Sequence, residues 1–123
     1  MQFIQSRIES FQNAIRGLRD ILTTEHNAWV HSIFTVGVLL AAFLLKIDFF
    51  EFLLIIIVIS LVWITEAFNT VLELVIDIVA PEYNEAARRA KDIAAAAVLF
   101  SSITALITGL VIFGPLLLVK MLG

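Results

Sequence analysis

Between Phe3 and Leu22 the apolar residues Ile4, Ile8, Phe11, Ile15, Leu18 and Leu22 return at alternating steps of four and three. That period keeps them on one stripe of a helix. The other faces carry Arg7, Glu9, Gln12, Arg16, Arg19 and Asp20. Segment 3–22 is therefore expected to be an amphipathic helix at the membrane surface, lying among headgroups or packed on its own bundle. The pattern then changes. Ala28 to Leu45 is eighteen residues with His31 as its one ionisable group, close to the roughly 20 that cross a hydrocarbon core. A polar turn around Lys46 and Asp48 leads to a second span, 50–79, which is uncharged from Phe52 to Thr65 and is stopped by Pro81, since proline cannot continue the backbone ladder. Pro81 to Ala90 reads as a polar loop or helix start, and a third span runs from about Asp92 to Val119. The chain is predicted to be an all-α integral membrane protein: one surface helix and three transmembrane helices in a single domain, 1–123.

Composition agrees with that pattern. Of 123 residues, 61% are hydrophobic and 15% charged, against about 45–50% and 25% in an average soluble domain. A chain this short cannot bury so much apolar surface by itself. No cysteine is present, which leaves out disulfides and thiolate chemistry. The net charge of -3 and the scattered basic residues speak against a nucleic-acid partner. The N-terminus lacks the form of a removable signal peptide, so the first span is expected to act as its own insertion signal. Arg7, Arg16 and Arg19 precede span one and Arg88, Arg89 and Lys91 follow span two, whereas the other two exposed segments hold only Lys46 and Lys120. The positive-inside rule then puts the N-terminus and second loop in the cytoplasm.

The second half of span two carries Glu66, Asn69, Glu73 and Asp77, spaced three, four and four. At about 100° per residue they share one narrow face. A charge inside a membrane helix costs at least about 2.5–3.5 kcal/mol on insertion scales, so such a stripe needs partners, water or a ligand. Glu66 lies about 24 Å along the span, near the inner edge of the core, with Glu73 and Asp77 beyond it. Simple solvation of an emerging helix, with acids pairing Arg88, Arg89 or Lys91, is the plain alternative, and it suits Asp77 best. Glu66 sits among Trp63, Ile64, Ala67 and Phe68, the setting in which a carboxylate works as a general base, with Asn69 one turn away to orient it. Glu25, just before span one, arrives at the level of Glu73. Two carboxylates with nucleotide phosphates are a usual arrangement for Mg²⁺ in phosphoryl transfer, although Glu25 alone would read as a solvated interfacial residue. Lys91 and Asp92, at the start of span three, suit a nucleotide phosphate at a helix N-terminus or, equally, a snorkelling lysine beside a capping aspartate. Ala97, Ser101, Ala105 and Gly109 form a small-residue ridge for helix packing. No glycine-rich phosphate loop is present among the five glycines, which excludes soluble kinase folds. His26 and His31 lack metal-ligand companions and read as interfacial.

The run Glu66-Ala-Phe-Asn69-Thr-Val-Leu-Glu73-Leu-Val-Ile-Asp77 resembles the signature of the prokaryotic diacylglycerol kinase family, which includes the undecaprenol kinases. Ala90-Lys91-Asp92, Arg16-Gly17-Leu18-Arg19 and Thr24-Glu25 extend the resemblance over nearly the whole chain. It implies a homotrimer of the bacterial cytoplasmic membrane whose sites are shared between subunits and which transfers the γ-phosphate of ATP to a lipid hydroxyl. In that scheme Glu66 is the base, Asn69 supports it, and Glu25 and Glu73 hold Mg²⁺. Glu82, Tyr83, Asn84, Lys91 and Asp92 match nucleotide-contacting positions, and Asp77, Arg16 and Arg19 are supporting. Two positions depart: Ser6 stands at the family's early arginine, with Arg7 one place off, and Val71 replaces a small residue. The segment Glu25-His26-Asn27-Ala28-Trp29-Val30-His31 looks more like the undecaprenol kinase branch, which favours undecaprenol over diacylglycerol. The rival from another class is a non-enzymatic membrane subunit whose acidic stripe binds cations or partner helices.

Overall fold

The computed structural model describes residues 1–123, the side chains of Gln2 and His26 excepted. The interfacial reading of His26 therefore lies outside the described residues. The fold is all-helical: α1 (Gln2–Thr24), α2 (His26–Leu45), α3 (Phe49–Val79) and α4 (Glu85–Leu122). The last three are each long and apolar enough to cross a membrane, and the chain is a membrane protein.

Each break between helices has a local cause. Glu25 is extended, at φ -89° and ψ 121°, and separates α1 from α2. Lys46 closes α2 in the left-handed conformation, φ 53° and ψ 49°. Its N–H donates to the Phe43 carbonyl and that of Ile47 to Ala42, the paired bonds of a Schellman motif. Two residues later α3 begins on a capping box. Asp48 Oδ1 accepts from the N–H groups of Phe50 and Glu51, at 2.7 and 3.0 Å, and Glu51 Oε2 accepts from the Asp48 N–H at 3.0 Å. Pro81 follows the end of α3, and Asn84 starts α4 by accepting from Ala86 and Ala87 N–H at 2.9 and 3.1 Å. Helix α4 then continues through Pro115.

Helices α3 and α4 pack along their lengths. The buried residues of α3 are Ile55, Val58, Val62, Glu66 and Thr70, one stripe at steps of three and four. Those of α4 are Ala94, Ser101 and Ile112. The small-residue ridge is thus only partly used: Ser101 is buried but Ala97 is exposed. Residues four apart drift by about 40° per step around a 3.6-residue helix, so a run of such steps leaves the contact face, whereas Ala94 and Ser101, seven apart, stay on it.

The connection between α2 and α3 is too short to offset them, so α2 runs back along α3 in antiparallel register. His31 faces Glu66 and Thr35 faces Trp63. With His31 opposite Glu66 and Thr35 opposite Trp63, the start of α2 falls about level with Val71, leaving about 12 Å of α3 beyond it. That overhang holds Glu73 and Asp77.

Candidate active site

Halfway along α3 its buried face changes character. Ile55, Val58 and Val62 are apolar, and the same face continues as Glu66, Asn69, Glu73 and Asp77. The apolar part holds α3 against its neighbours, and the polar part thereby becomes a fixed row of hydrogen-bonding groups.

Glu66 is the deepest of them, only 1% exposed. Its Oε2 and the Oδ1 of Asn69 are buried without a hydrogen-bond partner. A buried, unsatisfied carboxylate oxygen is costly in any stable core. Around it, His31 Nε2 stands 3.6 Å from Glu66 Oε2. Thr65 shares a hydrogen bond of 2.8 Å with Ser101 of α4. Thr70 Oγ1 donates to the Glu66 carbonyl at 3.1 Å, which ties the helix backbone at this turn.

One turn further out, Asn69 Nδ2 donates to Glu73 Oε1 at 3.0 Å, and both side chains are half-buried. The register of α2 against α3, carried to the end of α2, brings half-buried Glu25 level with Glu73. Among the described residues no three His, Asp or Glu side chains converge on one point. Carboxylates at Glu25 and Glu73 nevertheless fit a hard cation that takes only one or two protein ligands and completes its shell with water and nucleotide phosphate.

Beyond Glu73 the row reaches water. Asp77 is ion-paired with Lys91 of α4, the plain reading of that acid. Tyr83 OH donates to Glu85 at 2.8 Å, and Arg88 bridges Glu85 and Asp92. The Arg88 guanidinium, then the Tyr83 hydroxyl, holds the Glu85 carboxyl below its usual range, and Glu85 with Asp92 raises Arg88. Glu82 and Tyr83 are exposed in the α3–α4 connection, while the Asn84 side chain is engaged as a cap. Arg16 bonds Asn13 on its own helix, and Arg19 is exposed on α1, so neither joins the row.

Two expectations need correction. The start of α4 is Glu85, not Asp92, and its cap is Asn84; Lys91 and Asp92 therefore lie about 9 Å inside the helix, away from free N-terminal amides. His31 is not simply interfacial: it is half-buried and faces Glu66. Its sequence signal is modest. His31 and Thr35 are four apart on α2, Trp63 and Glu66 three apart on α3, and two such pairs can meet when the helices run antiparallel.

The model of the family described as prokaryotic diacylglycerol kinase matches residues 12–113. The chain belongs to that family. It is a lipid kinase, and the reading as a non-enzymatic subunit is set aside. The kinase is 33% identical over 107 residues to an undecaprenol kinase of Bacillus subtilis, covering 87% of each chain. It is 37% identical over 109 residues to a diacylglycerol kinase of Synechocystis, covering 88% of this chain and 62% of that one. Over 76 residues it is 42% identical to a diacylglycerol kinase of Escherichia coli, covering 59% and 62%.

Proposed function

We propose that this kinase transfers the γ-phosphate of ATP to the hydroxyl of a membrane lipid, undecaprenol in preference to diacylglycerol, at the cytoplasmic face of the bacterial inner membrane. The observation that carries this reading is the change of α3's buried face from aliphatic residues to a carboxylate–amide row, with Glu66 buried and unpartnered at the transition. The row begins where a lipid headgroup lies and ends where nucleotide arrives.

Glu66 accepts the proton of the lipid hydroxyl as its oxygen attacks the γ-phosphorus in line, and ADP leaves. Asn69 fixes Glu73 through their hydrogen bond. Glu25 and Glu73 would hold Mg²⁺, which when bound offsets phosphate charge. Lys91, held by Asp77 in the free protein, turns to the nucleotide phosphates; Asp92, Glu82, Tyr83 and Asn84 border the same opening. Arg16 and Arg19 act from α1, which lies along the headgroups with its exposed Ile4, Ile8, Phe11, Ile15 and Leu18 toward lipid. The N-terminus is cytoplasmic by the distribution of lysine and arginine.

The preference for undecaprenol is supported by the Bacillus relative, named for that activity, which aligns over 87% of both chains, whereas the chain spans 62% of the two diacylglycerol kinases. A homotrimer with shared sites is implied by the family resemblance and supported by the surface a single chain leaves uncovered. Purified Glu66→Gln, assayed with labelled ATP against undecaprenol and diacylglycerol side by side, is expected to assemble normally and phosphorylate neither. Full activity would remove Glu66 as the base.

A further inference from the structure

The row of α3 leaves one neighbour without a task. His31 projects from α2, and its Nε2 stands 3.6 Å from Glu66 Oε2, the carboxylate oxygen with no hydrogen-bond partner. The imidazole is itself held. Its ring meets Trp63 edge to face, 6.2 Å between centroids at 65°, and the Trp63 indole N–H donates to Thr35 at 3.0 Å. His31 and Thr35 are one turn apart on α2, and Trp63 and Glu66 one turn apart on α3. The four side chains form two facing pairs across the two helices. A histidine so placed costs desolvation on a membrane helix, and an aliphatic residue would pack against Trp63 as well. Its polar atom is aimed at a buried carboxylate oxygen that lacks a partner.

We infer that His31 is a positioning residue for phosphoryl transfer: its Nε2–H secures one oxygen of Glu66 and thereby points the other at the acceptor hydroxyl. This rests on Glu66 being the base. A carboxylate on a flexible glutamate stem has rotational freedom about its last bond, and a donor held beside it against Trp63 removes that freedom once the bond closes. At 3.6 Å the two atoms are in contact but not hydrogen-bonded in the free protein, and catalytic hydrogen bonds commonly tighten only when substrate is bound.

Two substitutions separate positioning from packing. In His31→Gln the amide nitrogen comes to the place of Nε2, whereas in His31→Asn it reaches only the place of Nδ1. Both are polar and uncharged, and His31→Ser serves as a second short variant should His31→Asn not assemble. With ATP and whichever lipid alcohol is turned over, His31→Gln is expected to keep kcat within a few-fold. The short variants should lose about 10- to 100-fold in kcat, the scale of a misplaced reacting group, with KM for ATP unchanged. Wild-type kcat in the short variants overturns the proposal. So does an equal loss in His31→Gln, which would mean that the ring's packing matters rather than its donor. An active Glu66→Gln measured alongside would instead sink the base itself, so the two failures are distinguishable.

Discussion

Glu66 and Glu73 are the same residue two turns apart on one helix face, and their surroundings suit them to different tasks. Glu66 is enclosed, with an unpartnered oxygen; Glu73 is half-buried and bonded by Asn69. In the proposed mechanism the first takes a proton and the second presents a charge to a cation. Replacing Glu73 with Gln keeps size and polarity but removes that charge. The concentration of Mg²⁺ giving half-maximal rate is expected to rise about tenfold or more, as for loss of a metal-orienting group, with much of the lost activity recovered at high Mg²⁺. No such recovery is expected for Glu66→Gln. Titrating Mg²⁺ against initial rate in both variants checks this. The acid row was legible from spacing alone, because a charge on an apolar helix is conspicuous. His31 was not, because a single histidine near a helix start looks interfacial until the neighbouring helix brings a carboxylate to it.

The elements are separated by short connections with specific chemistry. The α2–α3 turn combines the left-handed Lys46 with the capping box of Asp48 and Glu51. A side chain in the left-handed region costs roughly 1–2 kcal/mol, which glycine avoids, while glycine's greater freedom in the unfolded chain returns part of that. Lys46→Gly is therefore expected to stabilise the protein by up to about 1 kcal/mol, measured as a higher midpoint in denaturant unfolding in detergent, with kinase activity unchanged because the turn is at the end of α3 remote from Glu66. The helices themselves follow from sequence, since long apolar runs bounded by Lys46, Asp48 and Pro81 leave little choice. The start of α4 does not. Pro81 to Ala90 is polar and reads as loop or helix start, and glutamate, alanine, arginine and lysine are strong helix formers. Once Asn84 caps the first turn, Arg88 bonds acids three residues before and four after it.

At the scale of the whole molecule the single chain exposes 9639 Å², where a compact soluble protein of 13.7 kDa would expose about 6,600 Å². The excess of about 3,000 Å² is largely aliphatic and aromatic, which lipid and neighbouring copies are suited to cover. Because the chain has no cysteine, orientation can be read by single introduced thiols. Ser10→Cys is expected to be labelled by an impermeant maleimide only after the inner membrane is opened, and Gly123→Cys from the outside without opening. The reverse pattern would place the acid row on the wrong side for ATP. The unequal helix lengths carry a further consequence. At about 30 Å, α2 only just matches an average hydrocarbon core, so the shortest helix acts as the gauge that sets how far the ends of α3 and α4 protrude. Lengthening the acyl chains of the surrounding phospholipid draws Glu73 toward hydrocarbon, and turnover in vesicles should fall as the bilayer outgrows α2.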